Sequence, residues 1–229
     1  RRPGYMAIDP LNNILYITNA DSDSISIVAV DDEIRLIGQL PVGSMPQGID
    51  CHFNDEVLAV ANTNSNSIYI INTFNYEICK VIKFESYPFQ VKYSADGRRI
   101  FVGCSCLEKQ EEGSIIVLNT DDYSIESEIF LNGMPGQIHE TSDGKYVLAA
   151  SMGKGGLQII DLKKEKVIKN IVTNGMTHCI AVDRDEKYVY VTNTDDNSVS
   201  VVDWRNGRRL TNIQVGKEPN GILFIPGDP

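Results

Sequence analysis

The chain has 229 residues, 42% of them apolar and 23% charged, a balance that suits a folded domain with a sizeable core rather than a disordered segment. Its formal charge of −10 argues against wrapping a phosphate backbone, an affinity built on Lys and Arg releasing counterions, so no nucleic-acid partner is expected. No apolar run approaches the ~18 residues of a membrane span, and Arg1-Arg2-Pro3-Gly4 carries no apolar export core.

Pro3-Gly4-Tyr5-Met6 opens the first of several related segments. It leads into Met6–Asp9 and, across a short turn, into the apolar run Ile14–Thr18, which predicts a local hairpin. Asn19-Ala20-Asp21-Ser22-Asp23-Ser24 follows as a turn, its Asn, Asp and Ser side chains suited to bonding nearby backbone. The opening segment then returns as Pro46-Gln47-Gly48-Ile49, Pro88-Phe89-Gln90-Val91, Pro135-Gly136-Gln137-Ile138, Thr177-His178-Cys179-Ile180 and Pro219-Asn220-Gly221-Ile222, at intervals of 42 to 47 residues. A period of that size marks propellers and solenoids.

Each repeat carries four strand signals, a to d. Strand a follows the Pro motif (Ile49–Phe53, Val91–Ser94, Ile138–Thr141, Ile180–Asp183) and ends in turns such as Ser94-Ala95-Asp96-Gly97 and Thr141-Ser142-Asp143-Gly144. Strand b (Val57–Ala61, Ile100–Gly103, Tyr146–Ala150, Tyr188–Thr192) is apolar on both faces and therefore buried on both. The b-to-c turn recurs at Asn62–Ser67 and Asn193–Ser198. It is replaced by Ser151-Met152-Gly153-Lys154-Gly155-Gly156 in the fourth repeat, and in the third it is lengthened by the acidic Leu107–Glu112. Strand c (Ile68–Asn72, Val199–Asp203) alternates, and strand d (Val167–Val172, Leu210–Val215) is mixed, as expected of a wet outer strand with a charged edge.

A lone unit cannot bury two apolar faces. If each end of an unclosed stack exposed roughly 500 Å², it would forfeit about 12 kcal/mol, comparable with a whole domain's stability. The expectation is one all-β domain over 1–229, a β-propeller of five blades of four antiparallel strands. The approximate repeats are 3–45, 46–87, 88–134, 135–176 and 177–218, with a spare inner strand at 219–226. That spare copy of strand a either staples a five-bladed ring or belongs to part of a six- or seven-bladed one.

Tyr190-Val191-Thr192-Asn193, its continuation Thr194–Asp203, the variant Tyr16-Ile17-Thr18-Asn19 and the Pro-x-Gly-Ile segments at Pro46 and Pro219 resemble the YVTN-repeat β-propeller family. The resemblance covers essentially the whole chain. It implies a propeller, commonly of seven blades in known members, similar to surface-layer proteins, lactonases, streptogramin lyases and the haem-d1 domain of nitrite reductases. It also leans towards export or the cell surface, whereas the five unpaired cysteines lean towards the cytoplasm.

Equivalent positions of a propeller form rings, so the motif residues Gln47, Gln90, Gln137, His178 and Asn220 are candidates for ligand binding at a channel mouth. Strand a places ionisable groups in three consecutive repeats: Asp50 with His52, Lys92, and His139 with Glu140. The equivalent positions of the first and fifth repeats hold Ala7 and Ala181. His139, Glu140, Asp50 and Lys92 are the candidate catalytic set, as base and electrostatic partners, and would also suit a divalent metal. No cofactor is predicted. Cys104-Ser105-Cys106 lacks zinc spacing, and His178-Cys179 are neighbours on alternating sides of a strand, so neither forms a recognised centre. Trp204, the only tryptophan, is either an interface anchor or packing. The leading expectation is a monomeric, non-catalytic propeller that recognises a protein or cell-surface partner through the channel face. The alternative is a small-molecule lyase or lactonase in the channel.

Overall fold

The computed structural model describes residues 2–52, 56–106, 112–153 and 156–225. The acidic stretch 108–111 of the third repeat and Lys154-Gly155 of the fourth lie outside them, as does Phe53 at the end of its strand. The described residues form five four-stranded antiparallel sheets and no α-helix. The first sheet is β1 (Pro3–Asp9), β2 (Ile14–Asn19), β3 (Ser24–Val30) and β4 (Ile34–Pro41). The second is β5 (Pro46–His52), β6 (Val57–Asn62), β7 (Ser67–Asn72) and β8 (Ile78–Lys83). The third is β9 (Tyr87–Tyr93), β10 (Arg99–Ser105), β11 (Glu112–Asn119) and β12 (Ile125–Asn132). The fourth is β13 (Met134–Glu140), β14 (Tyr146–Met152), β15 (Leu157–Asp161) and β16 (Lys166–Ile171). The fifth is β17 (Thr177–Val182), β18 (Tyr188–Asn193), β19 (Ser198–Asp203) and β20 (Arg208–Gln214).

Strands within each sheet pair in chain order, as local hairpins dictate, and Met6–Asp9 pairs with β2. The b and c strands are the most buried: β10 and β14 hide both faces, while β4, β8 and β20 are exposed along most of their length. β15 is buried throughout, so strand c does not alternate in the fourth sheet. The spare inner strand expected at 219–226 is not a strand. No ladder forms over 215–225, whereas each of the five inner strands pairs with the b strand of its own repeat.

The chain divides into two compact units, residues 1–107 with 117–126 and residues 108–116 with 127–229. In the first, Tyr16, Ile25, Ile49, Leu58, Val60 and Ile71 form one core cluster. In the second, Leu148, Leu157, Ile159, Ile180, Val191 and Val202 pack with Trp204.

Adjacent inner strands within a unit share no ladder, yet their backbones nearly touch. A Cβ on Gly48 would lie 2.7 Å from Gln90 Cα and 2.8 Å from Phe89 O, and one on Gly136 would lie 2.3 Å from His178 O. Gly48 and Gly136 are therefore packing requirements, whereas a Cβ on Gly221 of the last copy would meet nothing within 4 Å among the described residues. Gly48→Ala and Gly136→Ala are each expected to cost about 1–3 kcal/mol through displaced backbone, read as a lower urea midpoint with an unchanged m-value.

Candidate functional site

In all five a-to-b ladders the register slips within the Pro motif, in the third through Phe89, the extra residue between Pro88 and Gln90. Gln47-Gly48, Gly136-Gln137 and His178-Cys179 each oppose a single residue on the partner strand, and a slip also falls between Pro3 and Met6. These are β-bulges, which take a side chain out of the pleat and leave backbone groups to be satisfied elsewhere. The threonine of Tyr-Val-Thr-Asn does this. Thr192 Oγ1 accepts from Cys179 N at 2.9 Å and donates to Cys179 O at 3.3 Å, and Thr18 Oγ1 treats Tyr5 N and O alike at 2.9 and 3.3 Å.

The b-to-c turns use their polar side chains across strands and between repeats as well as within the turn, where Ser198 Oγ donates to Asp196 Oδ2 at 3.0 Å. Asn19 Nδ2 donates to Ser26 Oγ at 2.9 Å. Asp23 Oδ1 accepts from Met45 N at 2.8 Å, and Asn197 Oδ1 accepts from Glu218 N at 2.9 Å, the same hook two ends apart in the chain. Thr63 Oγ1 donates to Pro88 O at 2.8 Å and Thr194 Oγ1 to Pro219 O at 3.0 Å. Pro219-Asn220 thus takes the usual interlocking position although its segment forms no ladder.

In the first unit, Asp50 and Lys92 do meet: Lys92 Nζ donates to Asp50 Oδ1 at 2.9 Å, and Tyr93 N donates to Asp50 Oδ2 at 2.8 Å. Both carboxylate oxygens are therefore occupied in joining one inner strand to the next. His52 stacks on Tyr93 with centroids 5.2 Å apart, and Gly97 crosses its ring so closely that a Cβ would stand 2.2 Å from Nε2. Gln47 is half-buried, and Gln90 is buried with its Nε2 donor lacking a partner among the described residues.

In the second unit, His139 and Glu140 occupy a regular part of the ladder, opposite Leu148 and Val147, so they point to opposite sides of β13. The bulge that would have brought them together falls earlier, at Gly136-Gln137. Gln137 Oε1 accepts from Ile180 N at 3.0 Å, a stitch between adjacent inner strands. His178 Nδ1 lies 3.3 Å from Cys179 Sγ, and Cys179 Sγ lies 3.9 Å from Asn220 Oδ1. This trio of residue types suggests a thiol nucleophile, but burial pushes the Cys179 thiol up to about 11 and holds His178 below the ordinary imidazole value. The thiol stays protonated at neutral pH and is no nucleophile.

Glu186 is the residue that sequence reasoning missed. It stands in the a-to-b turn of the fifth sheet, at the position of Gly97 and Gly144, and adopts the same left-handed backbone with φ 50°. Its carboxylate accepts from Ser142 N at 2.7 Å and Ser142 Oγ at 3.0 Å, and lies 3.7 Å from His139 Nε2 and 4.0 Å from Arg205. Its carbonyl accepts from Trp204 Nε1 at 2.7 Å. A charged residue where two sister turns have glycine was the available signal. Trp204 itself is packing: buried, edge-on to Tyr146 at 5.6 Å.

Among the described residues no cluster of three or more His, Cys, Asp or Glu is arranged to hold a metal ion. None of the five cysteines forms a disulfide.

No protein-family model matches the chain, and no curated protein matches it. Solved structures do. Hydrazine synthase from Kuenenia stuttgartiensis is similar with a TM-score of 0.86 at 20% identity, over 96% of this chain and 77% of that one. A protein from Lactobacillus plantarum gives 0.80 at 17% identity, over 94% and 72%. The dihydro-heme d1 dehydrogenase NirN in complex with DHE gives 0.71 at 17% identity, over 93% and 47%. Likeness at this identity carries the fold: the chain is a β-propeller of five four-stranded blades.

Glu186→Ala is expected to cost about 2 kcal/mol, because it removes a carboxylate accepting two hydrogen bonds while retaining the left-handed strain. Glu186→Gly relieves that strain and should recover about 1 kcal/mol of the loss, measured by urea unfolding. The thiols give a second expectation. Burial raises Cys51 to about 12 and Cys179 to about 11 from an ordinary 9.0. Both contribute stability that is complete below pH 9 and is lost as pH rises towards 11, since the unfolded chain releases thiol protons that the folded one retains. The urea midpoint should fall over that range, and iodoacetamide at pH 8 should label exposed Cys79 but not Cys179 in the folded protein, by mass spectrometry.

Proposed function

We propose that the protein is a non-catalytic binding propeller of the YVTN-repeat type, which recognises a protein partner. What supports a non-catalytic role is where polar groups on and beside the inner strands are spent. Asp50, Gln137 and Glu186 each give carboxylate or amide oxygens to the backbone of a neighbouring blade. Groups committed to holding the scaffold are not poised for proton transfer.

The observation that carries the binding reading is β4. As the outer strand of its sheet it has an open edge, and it exposes Ile34 at 81%, Leu36 at 61% and Ile37 at 44%, with Arg35 its only charge. The expected charged edge is absent here, whereas β8, β16 and β20 carry two lysines, two lysines and two arginines. An apolar, weakly charged edge suits an extended partner segment that adds a strand and seats alternate apolar side chains beside Ile34 and Leu36. The surface first expected, at the motif residues, has in its favour the buried Gln90 donor; β4 has the larger apolar area.

Hydrazine synthase and NirN dehydrogenase are named as enzymes, which favours the second reading, a small-molecule lyase or lactonase at His139, Glu140, Asp50 and Lys92.

A displayed peptide library selected on the immobilised protein should yield apolar, β-prone sequences whose binding falls at least about tenfold in Leu36→Lys and Ile34→Lys. A parallel screen of lactones and cyclic depsipeptides, with and without magnesium, should show no turnover. Peptides indifferent to both β4 variants overturn the docking site. Turnover abolished by His139→Ala establishes the enzyme reading instead.

A further inference from the structure

Within the second unit a cavity of about 180 Å³ opens between β16 of the fourth blade and the c-to-d turn of the fifth. Its walls are Ile159, Ile168, Tyr146 and Trp204, and two cations, Lys169 and Arg205, complete the lining. That volume is more than ten times the space of a single water.

Three features of the local chain build this site. First, the ladder of β15 with β16 pairs Ile159 with Lys169 and Ile160 with Val167, leaving Ile168 as the extra residue of a bulge. The bulge is what lets the neighbours Ile168 and Lys169 line one cavity instead of alternating across the strand. Second, Gly207 clears the path of Lys169: a Cβ there would lie 2.4 Å from Nζ and 2.5 Å from Cδ. The same left-handed turn position in the second, third and fourth blades holds Tyr76, Tyr123 and Glu165, so backbone conformation alone does not demand glycine. Third, the position of Trp204 is filled elsewhere by Thr73, Thr120 and Leu162. Thr120 Oγ1 donates to Gly97 O at 2.8 Å, the task that Trp204 Nε1 performs on Glu186 O, so a hydroxyl is enough for the hydrogen bond and the indole supplies wall area beyond it.

The cations are available to a ligand. Lys169 forms no ion pair among the described residues and is half-buried. Arg205 lies 4.3 Å above the Trp204 ring and keeps only a 4.0 Å contact with Glu186, whose oxygens already accept from Ser142.

We propose that this cavity is a binding site for a small carboxylate with a short branched apolar body, the carboxylate held between Lys169 and Arg205 and the body against Ile159, Ile168, Tyr146 and Trp204. Charge-assisted contacts fix the head group, and the aliphatic and aromatic walls favour an alkyl chain over a second polar group. The site does not depend on the partner proposed above.

Trp204 is the only tryptophan of the chain, so its fluorescence reports on this cavity alone. Titration with 4-methylpentanoate at low ionic strength should give a saturable change with a Kd of about 1 mM, the affinity suited to a ligand of roughly eight heavy atoms. The uncharged 4-methylpentanamide and the bodiless acetate should each bind at least about tenfold more weakly. Lys169→Gln should lose a similar factor and Lys169→Arg should retain binding. Gly207→Tyr, a residue accepted at this position in two other blades, should displace Lys169 and weaken binding at least about tenfold while the emission maximum stays near that of the parent and the urea midpoint falls only by the modest left-handed strain. Equal titration by the amide would mean apolar partition only, and equal titration by acetate an unspecific anion effect. Either result, an unsaturable response, or indifference to Lys169→Gln overturns the site.

Discussion

Within each compact unit, adjacent inner strands of neighbouring blades approach to backbone contact without forming a ladder. This constraint governs the rest of the molecule. Where two strands share no main-chain hydrogen bonds, their exposed N–H and C=O groups must be satisfied by side chains. The chain meets that requirement in repeating form. Asp50 takes Tyr93 N, Gln137 takes Ile180 N, and Thr63 and Thr194 reach the carbonyls of Pro88 and Pro219. Close approach at Gly48 and Gly136 then leaves no room for a side chain between the backbones.

The same stitching explains why polar residues on the inner strands are poor evidence for chemistry. A carboxylate or amide near the axis of a repeat fold looks like a ligand group, yet its first duty is to the backbone beside it. Glu186 is the fullest case. It accepts a left-handed backbone that costs about 1–2 kcal/mol, and in return one residue ties Ser142, His139, Arg205 and Trp204 together.

Much of the fold was legible in the sequence because it is local. The period of the Pro motif, the doubly apolar b strands and the short a-to-b turns fixed the sheet order, and β10 and β14 are buried on both faces as their composition required. The site was legible only in part, because its contacts join residues 42 to 44 apart in the chain, as Lys92–Asp50, Ile180–Gln137 and Ser142–Glu186 do. Periodicity places such residues in equivalent positions but does not say which oxygen meets which nitrogen. The bulges in the Pro motif were hidden for a related reason: the threonine that satisfies those of the first and fifth blades lies 13 residues away on the next strand. The spare copy of strand a misled because its sequence is that of an inner strand, whereas a strand also needs a ladder and residues 215–225 pair with no described strand.

The bulge that shapes the Trp204 cavity is not peculiar to the fourth blade. The outer ladders of the first, second and fifth blades slip at the matching place, after Ile27, Ile70 and Val201. These four outer ladders share one irregularity, and what sets the fourth blade apart is the turn beside it, where Trp204 and Gly207 leave the space that the bulged Ile168 and its neighbour Lys169 line.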